Sequence, residues 1–253
     1  MTFKSILLLL GLGCLGLMSF LSFEKQPVTV YLIGDSTMSI KETKAYPETG
    51  WGMPFVYFFD KTVKIENHAK NGRSTRTFIE EKLWPPVATS MKAGDYLFIQ
   101  FGHNDEVSTK KSYTTEADYT ANLERFVSEA RKKNVNPVLI TPAARRKFDA
   151  SGKIEETHAV YSNLVRSVAK KQKVALIDLD RKSQELLQKL GPESSKLLFL
   201  HLRAEEHPNY PQGKEDDTHF NELGAREMAQ IVLAELKAQK LDLADRIVKP
   251  QVK

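Results

Sequence analysis

The chain is expected to fold as an α/β protein, a three-layer α/β/α sandwich around a central, mostly parallel sheet. Two observations carry this. Short apolar, β-branched runs alternate with longer segments whose apolar residues recur at helical spacing, and strands alternating with helices build parallel sheets with right-handed crossovers. Two of the runs also stop abruptly in polar clusters, Gly34-Asp35-Ser36-Thr37 and Gly102-His103-Asn104-Asp105, and in open α/β sheets the C-terminal edge of the strands is where ligands bind.

Val28 to Ile33, bounded by Pro27 and Gly34, is the first strand, because Val, Ile and Tyr suit a pleated, covered surface. Gly34 is expected to let the backbone turn sharply and leave Ser36 facing a crevice. Met38 to Phe59 is a polar and aromatic segment with Pro47 and Gly50-Trp51-Gly52. Val63 to Ile65 is a short second strand, and the polar loop from Asn67 leads into a helix beginning at Ser74 or Thr75. Gly94 to Phe101 reads as a central strand. Tyr119, Leu123, Phe126, Val127 and Ala130 mark a helix from Thr115 to Lys133, with Thr115 and Asp118 resembling a capping box. A strand over Asn136 to Thr141, a helix from about Glu156 to Lys171, a strand over Val174 to Leu179 and a helix from about Arg181 to Lys189 continue the alternation. The stretch after Gly191, with His201, His207, Pro208, Tyr210 and Pro211, reads as irregular up to Asp216-Asp217-Thr218-His219, and Asn221 to Lys237 is the last amphipathic helix.

With 253 residues, 41% hydrophobic and 27% charged, the chain suits one sizeable core rather than two domains. Lys4 followed by the uncharged run Ile6 to Phe23 reads as a signal peptide or an N-terminal membrane anchor over residues 1–23. Residues 24–253 are then one exported domain, periplasmic, secreted or at the cell surface. Phe20 and Phe23 stand where a cleavage site wants small residues, and a lipoprotein site at Cys14 is poorly framed by Gly11-Leu12-Gly13. Cys14 is the only cysteine, so the exported part has no disulfide. The net charge of +5 is spread among interspersed charges without an aromatic-interleaved basic stripe, which argues against a nucleic-acid partner and is compatible with an acidic polymer. His201 and His207 lack a third ligand at a recognisable spacing, so neither a metal nor a cofactor is expected.

An acyl-transfer site needs a nucleophile, a base, a group that orients the base, and donors for the oxyanion. Ser36 is the candidate nucleophile and His219 the candidate base, with Asp216 three residues earlier able to fix its tautomer in a single turn. Asp217 is the alternative orienting residue, and His103, with Asp105 nearby, is the second-ranked base. Gly72 offers an unscreened backbone N–H and Asn104 a side-chain amide at a strand end. Taken singly, each reads equally as a turn, a cap or a surface residue.

Taken together and in this order, Gly34-Asp35-Ser36-Thr37, Gly72, Gly102-His103-Asn104-Asp105 and Asp216-x-x-His219 resemble the four blocks of the GDSL or SGNH hydrolases over nearly the whole exported chain. The resemblance implies a flavodoxin-like sheet, a Ser36-His219-Asp216 triad attacking an ester, and an oxyanion hole made by the Ser36 amide, the Gly72 amide and the Asn104 side chain. Gly34-Asp-Ser-Thr37, Gly50-Trp-Gly52 and Asn71-Gly-Arg-Ser-Thr-Arg76-Thr-Phe78 are similar to one branch, the rhamnogalacturonan acetylesterases and their pectin-deacetylating relatives. That likeness implies an acetylated polysaccharide or oligosaccharide as substrate. Trp51 would stack on a sugar, and Arg73 or Arg76 would pair with galacturonate carboxylates. The alternatives are another acyl substrate of the same family, such as a xylan acetyl, sialate, lipid or thioester group, or a non-catalytic glycan-binding surface module.

Overall fold

The structure, a computed structural model, describes residues 25–249, so the expected signal or anchor over residues 1–23 lies outside the described residues. The elements run β1 (Val28–Gly34), α1 (Gly52–Phe55), β2 (Val63–Asn67), α2 (Thr75–Glu80), α3 (Trp84–Ser90), β3 (Tyr96–Gln100), α4 (Glu116–Lys132), β4 (Asn136–Ile140), α5 (Ala159–Gln172), β5 (Ala175–Ile177), α6 (Leu179–Ser194), β6 (Phe199–Leu202), β7 (Lys214–Phe220) and α7 (Glu222–Ala238). Five strands form one sheet in the order β2-β1-β3-β4-β5, every neighbouring pair parallel. The chain leaves β1 toward β2 and returns on the other side to β3. The carboxyl ends of β1 and β3 therefore flank the crevice where the winding reverses.

The two-residue period of the strands splits the core in two. Val30, Leu32, Phe98, Val138 and Ile140 face Trp51 and Phe55 of the α1 region, Leu187 of α6, and Met228, Val232 and Leu236 of α7. Tyr31, Ile33, Leu97, Ile99 and Leu139 face Phe78, Trp84, Tyr119, Leu123, Phe126 and Val165 on helices α2 to α5. This is the expected sandwich, with helices on both sides of a buried parallel sheet.

The helices that start at the functional edge are capped by the residues that the pattern suggests. Ser74 and Thr77 form a reciprocal capping box on α2, and Thr115 and Asn221 accept from the N–H groups of Asp118 (3.1 Å) and Gly224 (3.0 Å). Two features differ from expectation. Helix α3 is missed by the pattern because it carries Pro85 and Pro86, yet both lie in its first turn, where a missing N–H has no helical acceptor to lose. The stretch expected to be irregular holds an antiparallel hairpin, β6–β7, in which Phe199 pairs with Phe220 but Leu200 pairs with Asp216. Asp217, Thr218 and His219 therefore bulge out of the ladder, which re-aims their side chains. Among the described residues, no helix is long and apolar enough to cross a membrane.

Candidate active site

The nucleophile turn begins with a close approach. Strand β1 runs so near β3 that a Cβ on Gly34 would lie 2.5 Å from the carbonyl oxygen of Gln100. Gly34 is not among the residues with positive φ, so strand contact rather than the expected freedom to turn is what requires a glycine here. The next residue, Asp35, is fully buried and accepts from the Thr37 N–H (3.0 Å), the Thr37 hydroxyl (2.8 Å) and His103 Nδ1 (3.2 Å). Burial opposes its charge, but the interactions with His103 and Thr37 outweigh it and pull Asp35 down to about 2. The Asp35 carbonyl accepts from the N–H groups of Met38 (3.3 Å) and Ser39 (3.1 Å). In a planar trans peptide the N–H opposes the C=O, so the same bonds direct the Ser36 N–H away from the turn.

The bulge in β7 delivers the base. Asp216 Oδ1 accepts from the N–H groups of Thr218 (2.8 Å) and His219 (2.9 Å), while Oδ2 meets His219 Nδ1 at 2.9 Å. His219 Nε2 lies 2.9 Å from Ser36 Oγ. Burial would raise the Asp216 pKa, but the hydrogen bonds and charge of His219 and the two N–H donors hold it well below the usual carboxylate range. An ionised Asp216 assigns the proton of the imidazole to Nδ1, which leaves the Nε2 lone pair toward the hydroxyl. Asp217 points elsewhere, to Arg146 Nη1 (2.8 Å) and His201 Nε2 (2.7 Å). Thr218 is anchored by Arg145 Nη1 at 2.6 Å. His103, the second-ranked base, is buried with Nδ1 on Asp35 and its ring centroid 4.4 Å from that of His158 in a T-shaped pair, and burial pushes its pKa down. It is turned toward Asp35, not toward Ser36.

The other two groups expected to donate to an oxyanion are Gly72, in the loop after β2, and Asn104, in the turn after β3. Gly72 adopts φ 75°, a conformation that disfavours any side chain. The Asn71 carbonyl, on the same peptide plane as the Gly72 N–H, accepts from Arg73 Nη1 at 2.9 Å. Asn104 is buried and its Nδ2 donates to the Arg73 carbonyl at 3.1 Å. Among the described residues, neither the Ser36 nor the Gly72 N–H donates to a protein acceptor.

Sequence reading missed the group beneath these donors. Lys41 is buried; its Nζ donates to the Ser36 carbonyl (2.5 Å) and to Asn71 Oδ1 (2.9 Å), and pairs with Glu48 at 2.7 Å. Burial lowers the Lys41 pKa, opposed by Glu48. A Lys and a Glu in a polar segment look like solvated surface, and nothing in their spacing separates the two cases.

The three residues expected to bind sugar are engaged elsewhere. Trp51 has no exposed face, donates to Gln100 Oε1 (2.7 Å) and packs edge-on against Phe55, so it belongs to the core and cannot stack on a ligand. Arg76 bonds the carbonyls of Tyr113 and Lys111 and both oxygens of Glu80, tying α2 to the 110–113 loop. Arg73 is held by Glu81 (2.9 Å) as well as by the Asn71 carbonyl. Tyr46, in the segment between β1 and α1, is an exposed aromatic whose hydroxyl donates to Glu222 (2.7 Å) and whose ring lies 5.4 Å from that of His207. Asn209 Nδ2 bonds the Thr43 and Tyr46 carbonyls and Tyr210 bonds that of Ala45, pinning the β6–β7 loop onto this segment.

A serine hydroxyl, an imidazole and a carboxylate in hydrogen-bonded series at the carboxyl edge of a parallel sheet define an acyl-hydrolase type of site. Residues 32–227 match the GDSL-like Lipase/Acylhydrolase family, and the chain belongs to it. It is 42% identical over 225 residues to the rhamnogalacturonan acetylesterase RhgT of Bacillus subtilis, covering 88% of this chain and 96% of the relative. It is 32% identical over 222 residues to the probable rhamnogalacturonan acetylesterase YesY of the same organism, covering 87% and 97%. Among solved structures, YxiM of Bacillus subtilis superimposes with a TM-score of 0.74 at 26% identity, over 86% of this chain and 58% of that one. The acetylxylan esterase Axe2 of Geobacillus stearothermophilus shares the fold, with a TM-score of 0.59 at 15% identity over 83% and 94%.

Proposed function

We propose that this chain is a serine acetylesterase that removes O-acetyl groups from plant cell-wall polysaccharide, rhamnogalacturonan first among them. The observation that carries the chemistry is the series Ser36 Oγ, His219 Nε2 and Nδ1, Asp216 Oδ2, with both links at 2.9 Å. As Ser36 Oγ bonds to the acetyl carbon, its proton passes to His219 Nε2, and the imidazolium is stabilised by ionised Asp216. The oxyanion is received by the Ser36 and Gly72 N–H groups and Asn104 Nδ2. Collapse breaks the C–O bond to the sugar, whose oxygen takes the proton from His219. Water, deprotonated by the same nitrogen, then releases acetate and restores Ser36.

The substrate class rests on the likeness to RhgT along nearly the full length of both chains. Tyr46, pinned at its hydroxyl and partly exposed, supplies the stacking face that Trp51 cannot. The positive net charge favours approach of a galacturonate polymer. Export through the segment over residues 1–23 would bring the enzyme to such a polymer. The test is acetate release from a panel of acetylated rhamnogalacturonan, homogalacturonan and xylan. Rhamnogalacturonan should give the highest kcat/KM; a preference for xylan would move the substrate, and release from none of them, nor from an aryl acetate, would remove the esterase reading.

A further inference from the structure

A buried lysine beside a serine nucleophile needs a reason, since its ammonium must be taken out of water and compensated. The Lys41 side chain is 2% exposed and that of its partner Glu48 is 16% exposed. The ammonium does not touch Ser36 Oγ. It grips the Ser36 carbonyl and Asn71 Oδ1, and Ser39 Oγ adds a second tie, donating to the same Asn71 oxygen at 2.5 Å. These contacts fall on the residues that carry the two backbone oxyanion donors: Ser36 itself, and Asn71, whose peptide bond holds the Gly72 N–H. Residue 36 lies in the turn after β1 and residue 71 in the loop after β2; among the contacts above, the Lys41 and Ser39 bonds are what join them.

We propose that Lys41, compensated by Glu48, is a positioning residue that clamps the nucleophile turn to the Asn71-Gly72 loop and thereby sets the separation of the Ser36 and Gly72 N–H donors. Lys41 touches no reacting atom. Its effect falls on the tetrahedral intermediate, whose oxyanion needs both donors at once, and not on ground-state binding of a small ester. The inference rests on the acetylesterase reading.

The test uses an aryl acetate and three variants: Lys41→Met, the double variant Lys41→Met/Glu48→Leu, and Asn71→Ala in the exposed loop. Replacing both members of a buried ion pair with apolar groups often preserves stability, so the double variant separates folding from positioning. In each variant kcat should fall on the order of 10- to 100-fold, the cost of a small misplacement of catalytic groups, with KM within about twofold. The double variant should do so while unfolding near the wild-type temperature. A stable double variant with wild-type kcat would overturn the proposal, as would an Asn71→Ala variant with wild-type kcat should the lysine variants not fold. A wild-type protein that leaves the aryl acetate intact would instead remove the esterase reading itself.

Discussion

Asp216 and Asp217 are adjacent in sequence but occupy different electrostatic settings. Asp216 accepts two backbone N–H groups besides meeting His219, whereas the side chain of Asp217 is 47% exposed and shared by Arg146 and His201. Asp216→Asn should therefore lower kcat on an aryl acetate by roughly 10²- to 10⁴-fold through loss of the correct imidazole tautomer, and Asp217→Asn should stay within about threefold. A large loss confined to the Asp217 variant would reassign the orienting group. Asn104→Ala should cost on the order of 10²–10³ in kcat with little change in KM, because its amide serves charge that exists only in the transition state; an effect confined to KM would mean that Asn104 binds the ground state. The candidate triad was legible in the sequence because Gly34-Asp35-Ser36-Thr37, Gly102-His103-Asn104-Asp105 and Asp216-x-x-His219 stand in a distinctive order. Lys41, Glu48 and Tyr46 were not, because their roles come from burial or exposure that only the folded chain decides. Trp51 misled for the same reason, as an indole that could stack on a sugar is chemically identical to one that fills a core.

At the scale of elements, β1, β3 and β4 were readable as apolar runs because the sheet is covered on both faces. The β6–β7 hairpin was hidden: β7 reads Lys-Glu-Asp-Asp-Thr-His-Phe, with no alternation to betray a strand. Its ladder is interrupted where Asp217, Thr218 and His219 bulge out, and a bulge of three residues breaks the two-residue alternation by which a strand is read. Gly34 tests the element-level account of the nucleophile turn. Gly34→Ala places a methyl against the Gln100 carbonyl at 2.5 Å, so β1 and β3 must separate. The expected cost is about 1–3 kcal/mol in denaturant unfolding, with activity falling as well. An alanine variant of unchanged stability would show that the two strands yield at this point and that close approach is not what requires a glycine.

Across the whole molecule, two buried carboxylates pull stability in opposite directions with pH. Asp105 accepts from the Thr75 N–H and hydroxyl at the start of α2, but burial pushes it up to about 7 from an unperturbed 3.8. Its neutral form is favoured in the fold, so the stability it contributes is complete below pH 3.8 and is lost as pH rises toward 7. Asp35, pulled down to about 2, contributes stability that is present above pH 3.8 and lost as pH falls through 2. In urea titrations, Asp105→Asn should gain on the wild type between pH 4 and pH 7. A flat difference across that range would mean that Asp105 is ionised in the fold. The central claim, that fold and site together make a serine acyl hydrolase, is tested most directly by trapping the covalent intermediate. The enzyme is mixed with an excess of an aryl acetate, quenched in acid within the first turnover and mapped by peptide mass spectrometry. One acetyl group should appear on the peptide containing Ser36 and be absent from Ser36→Ala; acetylation at another residue, or turnover undiminished in Ser36→Ala, would contradict the account.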